Sequence, residues 1–124
     1  MLPLRDVVIT GLGVVSPIGI GRDAFWNSLA TQTSGIAVAD SLVRIGYPVT
    51  IGGEVKNFDG KQFVTPRKSL KVMCREIQFA YAAAQMAMQD AKLAAGSVEP
   101  ERLGCVLGSD MFYCEIEDVE DVYR

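Results

Sequence analysis

The sequence predicts an α/β fold, and three observations carry that prediction. Short apolar, β-branched runs at Asp6–Thr10 and Leu103–Gly108 each lead into glycine. A long alanine-rich segment between them repeats its apolar residues at spacings of three and four. Strand and helix signals also alternate along the chain, the order that gives layered α/β architectures rather than separate all-α or all-β units. Continuous rather than alternating hydrophobicity in Val7-Val8-Ile9 predicts a strand covered on both faces, as in a parallel sheet.

A glycine-rich stretch follows the first run, with Gly11, Gly13, Gly19 and Gly21 set around Ser16-Pro17. Helical spacing begins near Arg22, where Ala24, Phe25, Ser28 and Leu29 fall together, and Gly35 closes the region. Residues 36–48 are expected to be irregular. The segment Val49–Val55 is a second strand, with Gly52-Gly53 marking a bulge or a close backbone approach. Asn57-Phe58-Asp59-Gly60 is a turn signal. Thr65-Pro66 has the form of an N-cap followed by proline at the first helical position.

The strongest local signal spans about Lys71 to Leu93. Met73, Ile77, Ala80, Ala84, Ala87 and Ala91 define one side, and Gln78, Gln85, Gln89 and Lys92 the other. Phe79, Tyr81, Met86 and Met88 widen the apolar face, so the helix is expected to be covered over most of its circumference. The run Leu103–Gly108 is a third buried strand. Beyond it, Ile116, Val119 and Tyr123 sit at helical spacing within a dense acidic stretch from Glu115 to Asp121. That helix is still under way at Arg124, and three strands are few for a finished parallel sheet. The chain is therefore expected to be the incomplete N-terminal part of a larger fold.

Composition narrows the functional classes. The 124 residues are 49% hydrophobic and 22% charged, the range of an ordinary folded domain. A net charge of −3, from 15 acids against 12 bases, lacks the basic footprint of a nucleic-acid binder. No apolar run approaches the roughly 20 residues of a membrane-spanning helix. Cys74, Cys105 and Cys114 are odd in number, without CxxC spacing, and the chain has no histidine to join them at a zinc site. Unpaired thiols and a charged, proline-containing N-terminus fit a cytoplasmic protein without a secretory leader.

Val7–Gly19 invites comparison with a dinucleotide fingerprint, in which G-x-G-x-x-G opens directly into a helix whose amides meet pyrophosphate. Here Ser16 holds the third glycine position, Pro17 follows, and helical signals wait until after Gly21. Glycines serving tight turns and close packing are the better account.

The same stretch, Val-Val-Ile-Thr-Gly-Leu-Gly-Val-Val-Ser-Pro-Ile-Gly from Val7, resembles the N-terminal signature of β-ketoacyl synthases, the elongating condensing enzymes of fatty-acid and polyketide synthesis. Further landmarks follow in the family's order: Phe25-Trp26 with Leu29 and Ser34-Gly35-Ile36; Gly53–Asp59; Gln78-Phe79-Ala80 with Asp90-Ala91-Lys92-Leu93; and Leu103–Ser109. The match is closest to the KAS II-like members and covers nearly the whole chain. It implies a partial thiolase-like layered fold, with residues 1–124 as the N-terminal portion of its first α/β half. By the family's usual size this is roughly the first third of an enzyme.

The resemblance implies decarboxylative condensation of a cysteine-bound acyl thioester with malonyl carried on acyl carrier protein. The thiolate and two histidines that this chemistry needs lie downstream in the family, so the resemblance puts no catalytic residue, cofactor or metal in this chain. Cys74 falls within the expected long helix, and Cys105 reads as a small core residue within a strand. Cys114, near the start of the acidic helix, has carboxylates around it that oppose a thiolate. Met111 aligns with a family position whose bulky side chain gates acyl-chain length; with Phe112 it is the candidate acyl-pocket wall, although core or subunit packing suits both equally well. The family's partners imply acyl carrier protein and a homo-oligomer. Arg67, Lys68, Lys71 and Arg75 form a basic cluster of the sign an acidic carrier prefers. Two other readings remain open: a non-catalytic, chain-length-setting partner subunit of polyketide systems, and a standalone α/β interaction module.

Overall fold

The glycine-rich stretch after Thr10 folds as a tight hairpin. In the computed structural model, which describes residues 6–109, β1 (Val15–Ser16) pairs antiparallel with β2 (Gly19–Ile20) across Pro17-Ile18. Ser16 explains the turn: its hydroxyl donates to the Gly19 carbonyl at 3.0 Å and accepts from the Ile18 amide at 3.3 Å. Side-chain hydrogen bonds of this kind replace the ladder where two-residue strands are too short to supply it. Gly21 then turns the chain at φ 89°, a conformation suited to glycine, and donates its amide to the Val14 carbonyl at 2.8 Å. α1 begins immediately afterwards and runs Arg22–Ala30, where the spacing placed it. Ser28 ties it back to the hairpin by donating to the Ile18 carbonyl at 2.6 Å.

The region expected to be irregular holds regular structure. β3 (Ile36–Val38) pairs antiparallel with β4 (Ile51–Gly53), with Ala37 opposite Gly52. A five-residue helix, α2 (Asp40–Arg44), makes the connection. Ser41 donates to Glu54 Oε1 at 2.6 Å, and Ala39 donates its amide to the Thr50 carbonyl at 2.8 Å. Ala39 and Ile45 are each 1% exposed and belong to the buried core. The second strand is thus present but shorter than Val49–Val55.

Asp59 caps a 3-10 turn at Gly60–Gln62 by accepting the Lys61 amide at 2.9 Å. The Thr65–Pro66 bond is cis, and Pro66 itself precedes a second 3-10 turn, Arg67–Val72. The expected arrangement, Thr65 capping an α-helix with Pro66 as its first residue, is therefore not adopted. α3 is Arg75–Asp90, shorter at both ends than the periodic pattern. Met73 and the N-capping Cys74 are extended, and Lys92 at φ 57° leaves the helical region after its last turn.

The covered side of α3 is also turned relative to expectation. Ala82 is fully buried, and Gln78 faces inward, donating to the Met73 carbonyl at 3.0 Å beside Gly60. Ile77, Tyr81, Ala84 and Met88 form an exposed stripe instead. Phe58 anchors the loop to the helix, stacking on Phe63 at 5.6 Å and meeting Phe79 edge-on at 4.7 Å. Arg75 lies 5.0 Å over the Phe79 ring and donates to the Val55 carbonyl at 2.9 Å.

Two expected strands are not formed. Asp6–Thr10 and Leu103–Gly108 pair with nothing among the described residues, and both stand open to water: Val7 is 94% and Val106 96% exposed. Cys105 is accordingly exposed, not a core residue. The two ladders present are both antiparallel, so no parallel sheet occurs among the described residues. The physical reason is common to both runs. A strand buried on two faces exists only where neighbouring strands satisfy its amides and carbonyls. What remains of the expectation is the coarse one, a mixed helix and strand fold.

Candidate functional site

The glycines of the first motif meet α3 at backbone distance. A Cβ built on Gly13 would lie 1.9 Å from the Ala83 carbonyl oxygen, and one on Gly11 would lie 2.1 Å from that of Ala87. Both residues are glycine because the peptide runs along the alanine face of α3 with no room for a side chain. Gly19 sits in the same way against the first turn of α1, its hypothetical Cβ 2.6 Å from the Phe25 amide nitrogen. These close approaches to α3 and α1 bear out the reading of the glycines as packing residues.

Where this seam reaches the end of α3, three elements converge on Asp90. Its Oδ2 accepts the Leu12 amide at 3.0 Å, and its Oδ1 pairs with the Arg22 guanidinium. Arg22 also donates through Nε to Asp23 Oδ1 at 3.0 Å. The hydrogen bond and charge of Asp23, with the charge of Asp90 added, raise the Arg22 pKa above its ordinary value. An open cleft of about 360 Å³ lies here, lined by Leu12, Ile20, Gly21, Arg22, Met86 and Gln89 among others. Its charges are satisfied by one another. The arrangement is a joint holding the signature loop, the start of α1 and the end of α3; it contains no nucleophile beside a base.

A second cleft of about 360 Å³ follows the exposed side of α3, between Tyr81, Ala84, Gln85, Met88 and Leu93. It is mostly apolar, with Gln85 and Gln89 as its amide-bearing side chains. Among the described residues no group of three or more histidine, cysteine or acidic side chains could hold a metal ion. Nor is any helix there long and apolar enough to cross a membrane.

Cys74 is half-buried at the N-cap of α3, one residue before the helix and not within it. Of the basic cluster, Arg67, Lys68 and Lys71 are exposed along the second 3-10 turn, whereas Arg75 is engaged with Val55 and Phe79. Met111, Phe112, Cys114 and the acidic stretch 115–121 lie outside the described residues. Sequence reasoning missed the Asp90 joint. Arg22 and Asp90 are 68 positions apart, and no local spacing signals such a pair.

Comparison with known proteins identifies the family. The model of the β-ketoacyl synthase N-terminal domain matches residues 4–123. The 3-oxoacyl-[acyl-carrier-protein] synthase 2 of Synechocystis sp. is 36% identical over 108 residues, covering 87% of this chain and 26% of that protein. The Staphylococcus aureus (strain COL) synthase of the same name is also 36% identical over 108 residues, covering 85% of this chain and 25% of its own length. The ketoacyl synthase beta subunit of the tetracenomycin polyketide synthase from Streptomyces glaucescens is 41% identical over 96 residues, 77% of this chain and 22% of that subunit. The chain spans about a quarter of the length of these curated relatives. With the family model of the N-terminal domain matching almost all of its residues, the chain belongs to the β-ketoacyl synthase family.

Proposed function

We propose that this chain is the N-terminal part of a 3-oxoacyl-[acyl-carrier-protein] synthase of thiolase-like fold. The whole protein joins an acyl thioester to malonyl-acyl carrier protein with loss of carbon dioxide. The match of the N-terminal domain over residues 4–123, with relatives named as such synthases, supports the reading. In it, residues 1–124 supply scaffold. The Gly11–Gly13 seam and Asp90 fix the signature loop on α3, and Met111 with Phe112 line part of the acyl pocket. The reacting histidines belong to the rest of the protein, because no histidine occurs in this chain, and the family resemblance puts the reacting cysteine there as well. Exposed Arg67, Lys68 and Lys71 offer an acidic carrier protein a surface of opposite charge. The whole enzyme works as a homo-oligomer in the cytoplasm.

The test compares this chain with the product of its complete reading frame, each given labelled acyl thioester and malonyl-acyl carrier protein. The expected result is 3-oxoacyl product from the complete protein, with neither acyl transfer nor product from residues 1–124. Label transferred to the isolated chain and then carried into product overturns the scaffold reading. In the complete protein, Met111→Trp should shorten the longest acyl chain accepted. An unchanged chain-length profile removes Met111 from the pocket.

The beta-subunit relative supports a second reading, a non-catalytic partner subunit of a polyketide synthase. The complete protein is then inactive alone and alters product length only when combined with an active synthase subunit.

A further inference from the structure

We draw no further inference here: the strongest candidate, the open cleft at the amino end of α1 where Leu12, Arg22, Gln89 and Asp90 meet, rests on a helix N-terminus whose arginine is already paired with Asp23 and Asp90, and no second observation there points to a ligand.

Discussion

Replacing Gly13 by alanine tests the seam that organises the described structure. The new methyl carbon would stand 1.9 Å from the Ala83 carbonyl oxygen and 2.7 Å from the Ala87 amide nitrogen. Carbon packs comfortably at about 3.5 Å, so the loop must lift from α3 by more than about 1 Å. Forcing a methyl into a closed contact costs about 1–3 kcal/mol, and the upper end applies because the obstructing atoms are helix backbone. Lifting the loop also stretches the Leu12 amide away from Asp90, a hydrogen bond to a charged acceptor worth about 1.5–3 kcal/mol. These terms overlap, and a destabilisation of about 3 kcal/mol is expected. With a urea m-value of about 2 kcal/mol/M, the unfolding midpoint should fall by about 1.5 M. The assay is urea unfolding followed by circular dichroism at 222 nm, where α3 dominates the signal. Gly52→Ala is the control, since a Cβ at Gly52 meets nothing within 4 Å. It should shift the midpoint by less than about 0.3 M. Removing the Ala83 methyl cannot rescue Gly13→Ala, because Ala83→Gly leaves the carbonyl in place. Equal midpoints for Gly13→Ala and Gly52→Ala, or recovery in the Gly13→Ala/Ala83→Gly double variant, refute the backbone-contact argument.

The remaining expectations use the same unfolding assay unless stated. Asp90→Ala should cost about 1.5–3 kcal/mol through loss of the acceptor for Leu12, and Asp90→Asn less, since its amide oxygen still accepts; equal losses for the two variants contradict this. Arg22 bears on pH in one direction. A cation whose pKa is raised in the folded state stabilises fully below its unfolded value and loses that contribution only as pH rises through the folded value, so the part that Arg22 contributes is constant from pH 6 to 10. A stability difference between the parent and Arg22→Ala that fades within that window as pH rises argues against the pairing. Ile45→Ala, at a site 1% exposed, should cost about 2–4 kcal/mol, and Val43→Ala, at an exposed site on the same turn, less than about 1 kcal/mol. The open apolar runs around Val7 and Val106 should make residues 1–124 self-associate with rising concentration, and Val8→Lys with Val106→Lys should weaken this. A concentration-independent monomer in sedimentation velocity contradicts the last expectation.

Much of the helical structure was legible because its signals are local. α1 begins at Arg22 because Gly21 supplies the turn that admits it, and the alanine run of α3 has enough length for its period to show. The phase of α3 was not legible. Gln78 faces inward because it finds an acceptor in Met73, a contact no polarity scale anticipates. Of the β3–α2–β4 unit, β4 fell within the strand expected over Val49–Val55, whereas β3 and α2 were missed because a three-residue strand and a five-residue helix are too short to display periodicity. The unit's stability comes from register, Ser41 to Glu54 and the burial of Ile45. The opposite error, strands expected at Asp6–Thr10 and Leu103–Gly108, has the same root. β-propensity states what a segment would suit, while a ladder needs a second segment to bond to. At the candidate site the glycines pointed to close packing, and that was correct; Asp90 was noted only as a family landmark, and its pairing with Leu12 and Arg22 was not legible because they lie 78 and 68 positions away.

The residues that made the family recognisable are therefore doing mechanical rather than chemical duty. Gly11 and Gly13 are matched to the backbone of α3, Gly19 to the start of α1, and Asp90 to the Leu12 amide and Arg22. Gly11, Gly13 and Asp90 restrict where the peptide after Asp6–Thr10 can lie relative to α3. A peptide fixed in this way holds the direction of the apolar run preceding it, and that run, like the one around Val106, has its backbone open for strand pairing. Sequence constraint on such a seam is steric and severe, because a single added methyl has nowhere to go. Constraint on Ile36, Val38 and Ile51, which stand exposed on the β3–β4 ribbon, is much weaker. Signature residues of this kind establish kinship through packing, and the chemistry they serve is argued from the rest of the family's architecture, with no reacting group required at the signature itself.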